Sequence, residues 1–522
     1  MTGGRVVRRP GIVLAVVSCA VFMAMLDNLV VNNALPSIGE ELDTSVSGLQ
    51  WVVAGYTLVF AATLLSASVV GDRLGQRRAF FTGLGGFMAG SALGSVATGQ
   101  GLLVAGRGIQ GLGAAVLLPA GTALLRHTYT DDAGRARAIG VRGAVGGLGI
   151  ALGPVIGGPL VEALGWRSVM WINLPVGLAA LLVGLRVLPC PPAAPVRWDP
   201  AGQALAVTGL GGLVHALIQG PVDGWRTPPV VACLALAAVA LTAFGVVEAR
   251  GARPMLDPAL FRAKASRAAA VSCFASGLAL FGATFFLTFY LQNILGWSAA
   301  GAGAVFLSAS VFIAFTSPVA GVLTGRYGAR PPLVLGLVLS ALALAGLSRY
   351  GRGAAFADYG WLLPVLGAGT GLLFVPTMIT MVQGAPAAHA GTASAVVDTL
   401  REVGGVVGVA ALGAVLTTRM RTTLYERTAR AGLPHDAVED LVRTAVADGP
   451  VHRLGAGPSG AGPPLARVWT EESFVDGLRL ALRCGALVLV CALVVVLVLL
   501  WGRRPRVAVL SAVPERRGEL KR

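Results

Sequence analysis

The sequence is short of charge: only 13% of its 522 residues are Asp, Glu, Lys or Arg, where a soluble globular chain carries roughly 25%. Lysine is almost absent, standing only at Lys264 and Lys521. The six cysteines (Cys19, Cys190, Cys233, Cys273, Cys484 and Cys491) form no CxxC, and none has a histidine at ligand spacing. Five lie in apolar runs, which argues against a disulfide framework or a metal site and leaves them as small apolar residues. No Walker A loop and no GxSxG elbow on a strand occurs, so ATP-driven transport and hydrolase chemistry find no support. No metal, no cofactor and no enzymatic activity are expected.

What the chain has instead is apolar surface, with 55% hydrophobic residues and a mean hydropathy of +0.75. Apolar runs of about 20 residues recur from end to end, which predicts an all-α polytopic membrane protein. Fourteen spans can be drawn: Gly11–Leu35, Leu49–Val70, Ala79–Ala97, Gly101–Leu125, Ala138–Leu160, Val169–Leu188, Ala201–Gln219, Val230–Val247, Ala268–Gln292, Ala300–Leu323, Leu333–Leu347, Trp361–Val382, Ala393–Leu416 and Cys484–Trp501. Arg5, Arg8 and Arg9 precede a first span too long for a cleaved signal, so that span is read as retained.

The net charge of +16 resides in arginine clusters between apolar runs, which indicates loops obeying the positive-inside rule and no nucleic-acid partner. These clusters fall on alternate loops, while Glu40, Glu41 and Asp43 fall between them. A multi-pass protein of the plasma membrane with both termini cytoplasmic follows. The stretch 417–478 is then an outer loop holding seven Arg against eight Asp/Glu, with a flexible Gly/Pro-rich middle at Gly455–Pro464.

A repeat divides the chain. SVVGDRLGQRR begins at Ser68 and GVLTGRYGARP at Gly321; aligning Gly75 with Gly328 puts Arg73 on Arg326 and Arg77 on Arg330. The same basic turn between the same helix pair implies a duplicated six-helix unit. The units are 1–195 and 251–522, with two inserted helices in 196–250.

The run GGLGIALGPVIGGP, from Gly146, carries Gly149, Gly153 and Gly157 four apart, then Gly158, with Pro154 inside. In a soluble helix each glycine would cost about 1 kcal/mol and the proline roughly 3. In a bilayer the helix persists, and the glycines form a groove for a neighbouring helix. A moving hinge and a static packing face both fit that pattern.

Taken together, these stretches resemble the major facilitator superfamily, in its fourteen-helix drug:proton antiporter branch. Leu26–Pro36 (LDNLVVNNALP) is similar to the branch's first-helix signature. Gly71–Arg78 resembles the superfamily's loop motif, with Ser68 replacing its usual first glycine. Arg107–Ala115 (RGIQGLGAA) resembles the fourth-helix motif of proton coupling, and Gly149–Gly158 the fifth-helix motif of antiporters. Trp166–Gly177 (WRSVMWINLPVG) and Tyr290–Ser298 (YLQNILGWS) are similar to further branch signatures. The resemblance implies two six-helix bundles rocking about a central cavity. Its implied activity is export of a hydrophobic drug, antibiotic or toxic metabolite in exchange for protons. A monomer in membrane lipid is expected.

Asp27 lies inside the first span, where a charge costs roughly 2.5–3.5 kcal/mol, so it either titrates in a cavity or holds a structural pair. Arg107, placed in the inner or middle part of the fourth span, either modulates that acid or clasps two helices. Asp72, Arg73, Gly75, Arg77, Arg78 and Arg326 read as a gating loop, or as plain topology charges. The candidate cavity residues are Gln110, Asn33, Phe285, Tyr290 and Gln292. Asp398, Arg401 and Glu402 form a secondary charged cluster whose spacing permits pairing on one helix face near the membrane surface. A proton-coupled uptake symporter and a non-transporting receptor are the competing readings.

Overall fold

A bilayer offers no water to free N–H and C=O groups, so apolar runs of this length have one outlet, the helix. The computed structural model describes residues 9–191, 199–251, 255–256, 258–384, 390–431, 435–448 and 464–501, and no strand occurs among them. The helices are α1 (Pro10–Leu42), α2 (Val46–Leu74), α3 (Gln76–Ser95), α4 (Gln100–Thr128), α5 (Asp132–Leu164), α6 (Ser168–Trp171), α7 (Asn173–Val187), α8 (Pro200–Asp223) and α9 (Pro228–Arg250). They continue with α10 (Lys264–Phe289), α11 (Ala299–Tyr327), α12 (Arg330–Leu347), α13 (Phe356–Tyr359), α14 (Leu362–Gly384), α15 (Ala390–Arg430), α16 (His435–Asp448) and α17 (Pro464–Leu499). A short 3₁₀ turn precedes α10, and a π turn, Tyr290–Ile294, extends it.

Thirteen segments of the described residues are long and apolar enough to cross a membrane. The remaining expected span is α3, whose 20 residues reach about 30 Å. Five glycines and two arginines dilute its apolarity. Starts are set locally: Ser45, Asp131, Asp199 and Ser298 each accept from the N–H of a glycine three residues on, at 3.1, 2.6, 2.9 and 3.1 Å. Such caps are worth about 1 kcal/mol each. The repeated basic turn has the same form in both copies. Gly75 (φ 86°) and Gly328 (φ 80°) take the left-handed backbone that lets one helix stop and the next begin at once.

One expectation is corrected. The stretch 417–478 is largely helix: α15 runs on to Arg430, α16 follows, and α17 starts at Pro464, well before Cys484. The reason is composition, since 417–430 has neither Gly nor Pro to stop the helix. The Gly/Pro-rich middle, up to 463, lies outside the described residues, as do the C-terminal arginines beyond 501 and the junction at 195.

α1–α7 pack among themselves, chiefly α3 on α4, α2 on α4 and α1 on α5. α10–α17 do likewise, chiefly α10 on α15, α11 on α14 and α12 on α14. The two bundles meet along α5·α11 and α2·α15. The near face is the one where α1 begins; the far face is where it ends. Leu35, Ile38, Val46, Leu49, Trp166 and Met170, from the far halves of the first bundle's helices, share one apolar core with the second bundle. Toward the near face each bundle keeps its own core, around Val17, Phe80 and Leu124 in the first and Cys273, Met381 and Val397 in the second. The bundles therefore share one apolar core at the far face and keep separate cores toward the near face.

α8 lies over the α2·α15 seam, where Val214 and Ile218 pack with Ala54, Val406 and Ala410. α9 packs on α8 and turns its remaining surface outward.

The α5 glycines face α1. A Cβ on Gly149 would come 2.8 Å from the Phe22 carbonyl oxygen, and one on Gly153 2.9 Å from Leu29 Cβ. Overpacking of this kind costs about 1–3 kcal/mol. Gly153→Leu should therefore insert into membranes normally yet lower the detergent-solubilised melting temperature by several degrees. An unchanged melting temperature would show that α1 and α5 are not in contact there.

Candidate functional site

Buried charge concentrates in the first bundle. Asp27 on α1 is wholly buried and Arg107 on α4 is 1% exposed. Arg107 Nη1 donates to Asp27 Oδ2 in a short ion pair. The second carboxylate oxygen, Oδ1, accepts from Gln110 Nε2 at 3.1 Å and from Asn173 Nδ2, on α7, at 2.6 Å. Both amides also donate to Ser91 Oγ of α3, at 2.7 and 3.2 Å. Arg107 Nη1 further donates to Gln110 Oε1 at 2.9 Å, and its Nε to the Val52 carbonyl of α2 at 3.4 Å. The guanidinium lies 4.5 Å from the centre of the Tyr56 ring, a cation–π contact in a dry setting. Its Nη2 has no partner.

Helix approach makes this cluster. A Cβ on Gly90 would lie 2.5 Å from the Gly106 carbonyl oxygen and 2.6 Å from the Gln110 nitrogen, so the glycine is what brings Ser91 within reach of Gln110. Arg107 is only seven residues from the far end of α4, so it sits in the far half of its helix, a correction to its expected inner or middle depth. Asp27 lies near the middle of α1 and meets it there.

Gln110 thus belongs to the Asp27 cluster. Asn33 lines a narrow cleft between the bundles, with Leu29, Asn32, Ile150, Pro154, Leu280, Thr284, Thr288, Phe306, Ala309, Ser310 and Ile313. Its Nδ2 donates to the Pro154 carbonyl at 2.9 Å, and its own carbonyl accepts from Gln292 Nε2 at 3.1 Å, which ties the bundles at the far side. Gly303 of α11 packs directly on that contact, and Gly158 on Ala299 and Ala300. Phe285 is buried against Phe286 and Phe289, away from the cleft. Tyr290 donates its hydroxyl to the Gly351 carbonyl at 2.8 Å, inside the second bundle.

In the gating loop, Gln76 Nε2 donates to Asp72 at 2.7 Å. Burial pushes that carboxyl above its usual range, and the Gln76 bond works against the shift. Arg77 donates to the Leu185 carbonyl at 2.6 Å and sits over the Phe81 ring, whereas Arg73, Arg78 and Arg326 are exposed. On α15, Arg401 Nη2 pairs with Asp398 at 2.7 Å. Glu402, twelve residues into that helix, is buried and faces Asn28 across the seam, with Oε2 unpartnered. Sequence reasoning assigned no role to Ser91, Tyr56, Asn173 or Arg142. Asn173 stood inside the quoted WRSVMWINLPVG stretch, as a polar residue in an apolar run.

Comparison with known proteins follows the same lines. The family described as Major Facilitator Superfamily matches residues 17–409. The tetracenomycin C resistance and export protein of Streptomyces glaucescens is 34% identical, covering 93% of this chain and 91% of its own. The multidrug resistance protein Stp of Mycobacterium tuberculosis is 35% identical, over 93% and 90%. The puromycin resistance protein pur8 of Streptomyces alboniger is 38% identical, over 77% and 81%. Among solved structures, a bacterial homologue of the human lysosomal transporter Spinster superposes with a TM-score of 0.62 at 15% identity, over 94% and 97% of the two chains.

Breaking one side of a buried ion pair costs about 3–5 kcal/mol, because the other charge stays uncompensated. Arg107→Gln should accordingly destabilise the solubilised protein strongly. The double variant Asp27→Asn/Arg107→Gln should recover at least half of the lost melting temperature. Additive losses in the two single variants and the double would mean that the two residues are not coupled.

Proposed function

The chain belongs to the Major Facilitator Superfamily, and from that premise we propose that it exports a hydrophobic drug or antibiotic across the plasma membrane in exchange for protons. The drug-export reading is supported by relatives whose names describe antibiotic and multidrug export. The proton reading is carried by one observation, the fully buried Asp27–Arg107 pair. A carboxylate so placed has two self-consistent states. Charged, it is held by Arg107; neutral, it releases the guanidinium, which then needs another acceptor. Gln110 and Asn173 rotate to serve either state, since an amide donates from one end and accepts at the other.

Proton uptake at Asp27 thereby changes what Arg107 holds, and Arg107 touches the Val52 carbonyl and the Tyr56 ring on α2, the helix that meets α15. In this reading the Asp27–Arg107 pair acts on the seam whose opening and closing would expose the cleft to alternate sides. We assign the near face to the cytoplasm, because Arg73, Arg77, Arg78, Arg135 and Arg137 cluster there. The transport unit is a monomer, each chain containing its own seam and cleft.

Two measurements test this. In inside-out vesicles energised by a pH gradient, Asp27→Asn should lose at least about tenfold in drug uptake, the size of effect a 1.4 kcal/mol change produces. Asp27→Glu should keep part of it. Uptake by Asp27→Asn equal to the parent would make Asp27 purely structural. In a cysteine-free background, Asp440→Cys should react with an impermeant thiol reagent in intact cells and Arg137→Cys should not; the reverse pattern would invert the assigned orientation.

A further inference from the structure

Arg142 stands apart from the cluster just described. It lies on α5, ten residues past Asp132, about 15 Å along the helix from the near face. Its Nη2 donates to the Leu118 carbonyl of α4 at 3.2 Å. Its Nε is closed to solvent and meets no acceptor. Arg142 has no ion-pair partner among the described residues. The charge that acts on it is Asp398, in the other bundle, and Asp398 is already paired with Arg401 at 2.7 Å.

This cation differs in kind from the unpartnered Oε2 of Glu402. A carboxyl group can take up a proton, whereas a guanidinium stays charged at any accessible pH. Arg142 is half-buried, and a cation whose Nε is shut off from solvent without a counter-charge in contact is costly. Among the described residues Arg142 has one backbone carbonyl in contact and, beyond ion-pair reach, Asp398, which Arg401 already holds, so the place of a contacting counter-charge is open to a ligand.

The route to it is short. Arg142, Gly146 and Ile150 are spaced four apart, on one stripe of α5. Ile150 lines the cleft between the bundles, with Leu29, Leu280, Phe306 and Ile313 forming its apolar walls. Eight residues of helix separate Arg142 from Ile150, about 12 Å. Arg142 does not line that cleft, which holds about 50 Å³, so a molecule that reached both would widen the cleft with its apolar end and set its polar end at Arg142, about 12 Å along α5.

Resting on the export reading above, we propose that Arg142 receives the carboxylate of the exported compound, so that the preferred substrates are acidic amphiphiles. The guanidinium fork suits a carboxylate with two parallel N–H donors. The Nε without an acceptor is one of the donors such a fork uses.

The test is equilibrium binding to the detergent-purified full chain, read by fluorescence anisotropy with two probes of one shape, 1-pyrenebutyrate and its uncharged amide. The parent should bind the acid about tenfold more tightly than the amide, as expected for a charge-assisted bond. Arg142→Gln should erase that preference while leaving amide affinity within about twofold, so the amide also reports folding. Arg142→Lys should keep part of the preference, since charge remains and the fork is lost. An absent preference in the parent overturns the proposal. So does an equal loss for both probes in Arg142→Gln matched by Asp398→Asn, which would mark a latch between bundles. Binding needs no gradient, so failed vesicle transport would sink the export reading and leave this ratio untouched.

Discussion

The first bundle is organised around the requirement that Asp27 and Arg107 be buried together. Removing either charge from water costs several kcal/mol, and the low dielectric repays this best when the lone pairs and N–H groups nearby are used. Meeting most of that demand takes Gln110, Ser91 and Asn173, and so draws α3, α4 and α7 to one point on α1, with Arg107 Nη2 and Asn173 Oδ1 left without partners among the described residues. Side chains of ordinary size between α3 and α4 would hold Ser91 out of reach. Hence Gly83, Gly90, Gly106 and Gly113, at all of which a Cβ would strike the facing backbone. The charge pair and the glycine-lined packing are one device.

The duplication is geometric more than chemical. Both copies keep the left-handed glycine turn at Gly75 and Gly328, because only that backbone joins two membrane helices with no intervening loop. Charge has diverged. Asp72 bonds Gln76 in the first copy, and Gly325 stands in its place in the second. Where the first bundle buries its pair on two helices, the second carries Arg401 between Asp398 and Glu402 on one helix. A pair on a single helix is set by local spacing and survives relative motion of the bundles. One that spans helices depends on packing. The two halves therefore hold their charges by different means, packing in the first and local spacing in the second.

Much of this was legible in the residues. Span number, the repeat, the inserted pair and the suspicion attached to Asp27 follow from apolar run length and from the cost of a charge inside one. The depth of Arg107 was legible and was misread, since the span drawn from Gly101 begins one residue from α4 and already sets Arg107 in the far half of its helix. The aromatic residues of α10 misled for another reason. Phe285 and, in the turn that follows α10, Tyr290 are greasy at any angle, and only packing sets Phe285 against Phe286 and Phe289 and Tyr290 against Tyr359 and the Gly351 carbonyl. Asn173 and Ser91 escaped notice because single polar residues in membrane helices usually satisfy their own backbone, as Thr57 and Ser272 do here. The helical character of 417–430 was hidden by length, since a polar stretch as long as 417–478 looks like a loop when only hydropathy is scored.

The inserted helices show how such a molecule reconciles sealing with motion. α8 lies against both α2 and α15, at the seam between the bundles. Its contact there is Val214 and Ile218 on Ala54, Val406 and Ala410, with the Trp51 and His215 rings 5.8 Å apart. These are small or smooth apolar surfaces, and dispersion between them changes little when one slides past the other. The anchoring bond is elsewhere, where Gln203 Nε2 donates to the Ala62 carbonyl of α2 at 2.9 Å. Among the described residues α8 is therefore fixed to the first bundle by a directional bond and meets the second through apolar packing. That asymmetry covers the seam while tying α8 by a directional bond to one side of it alone.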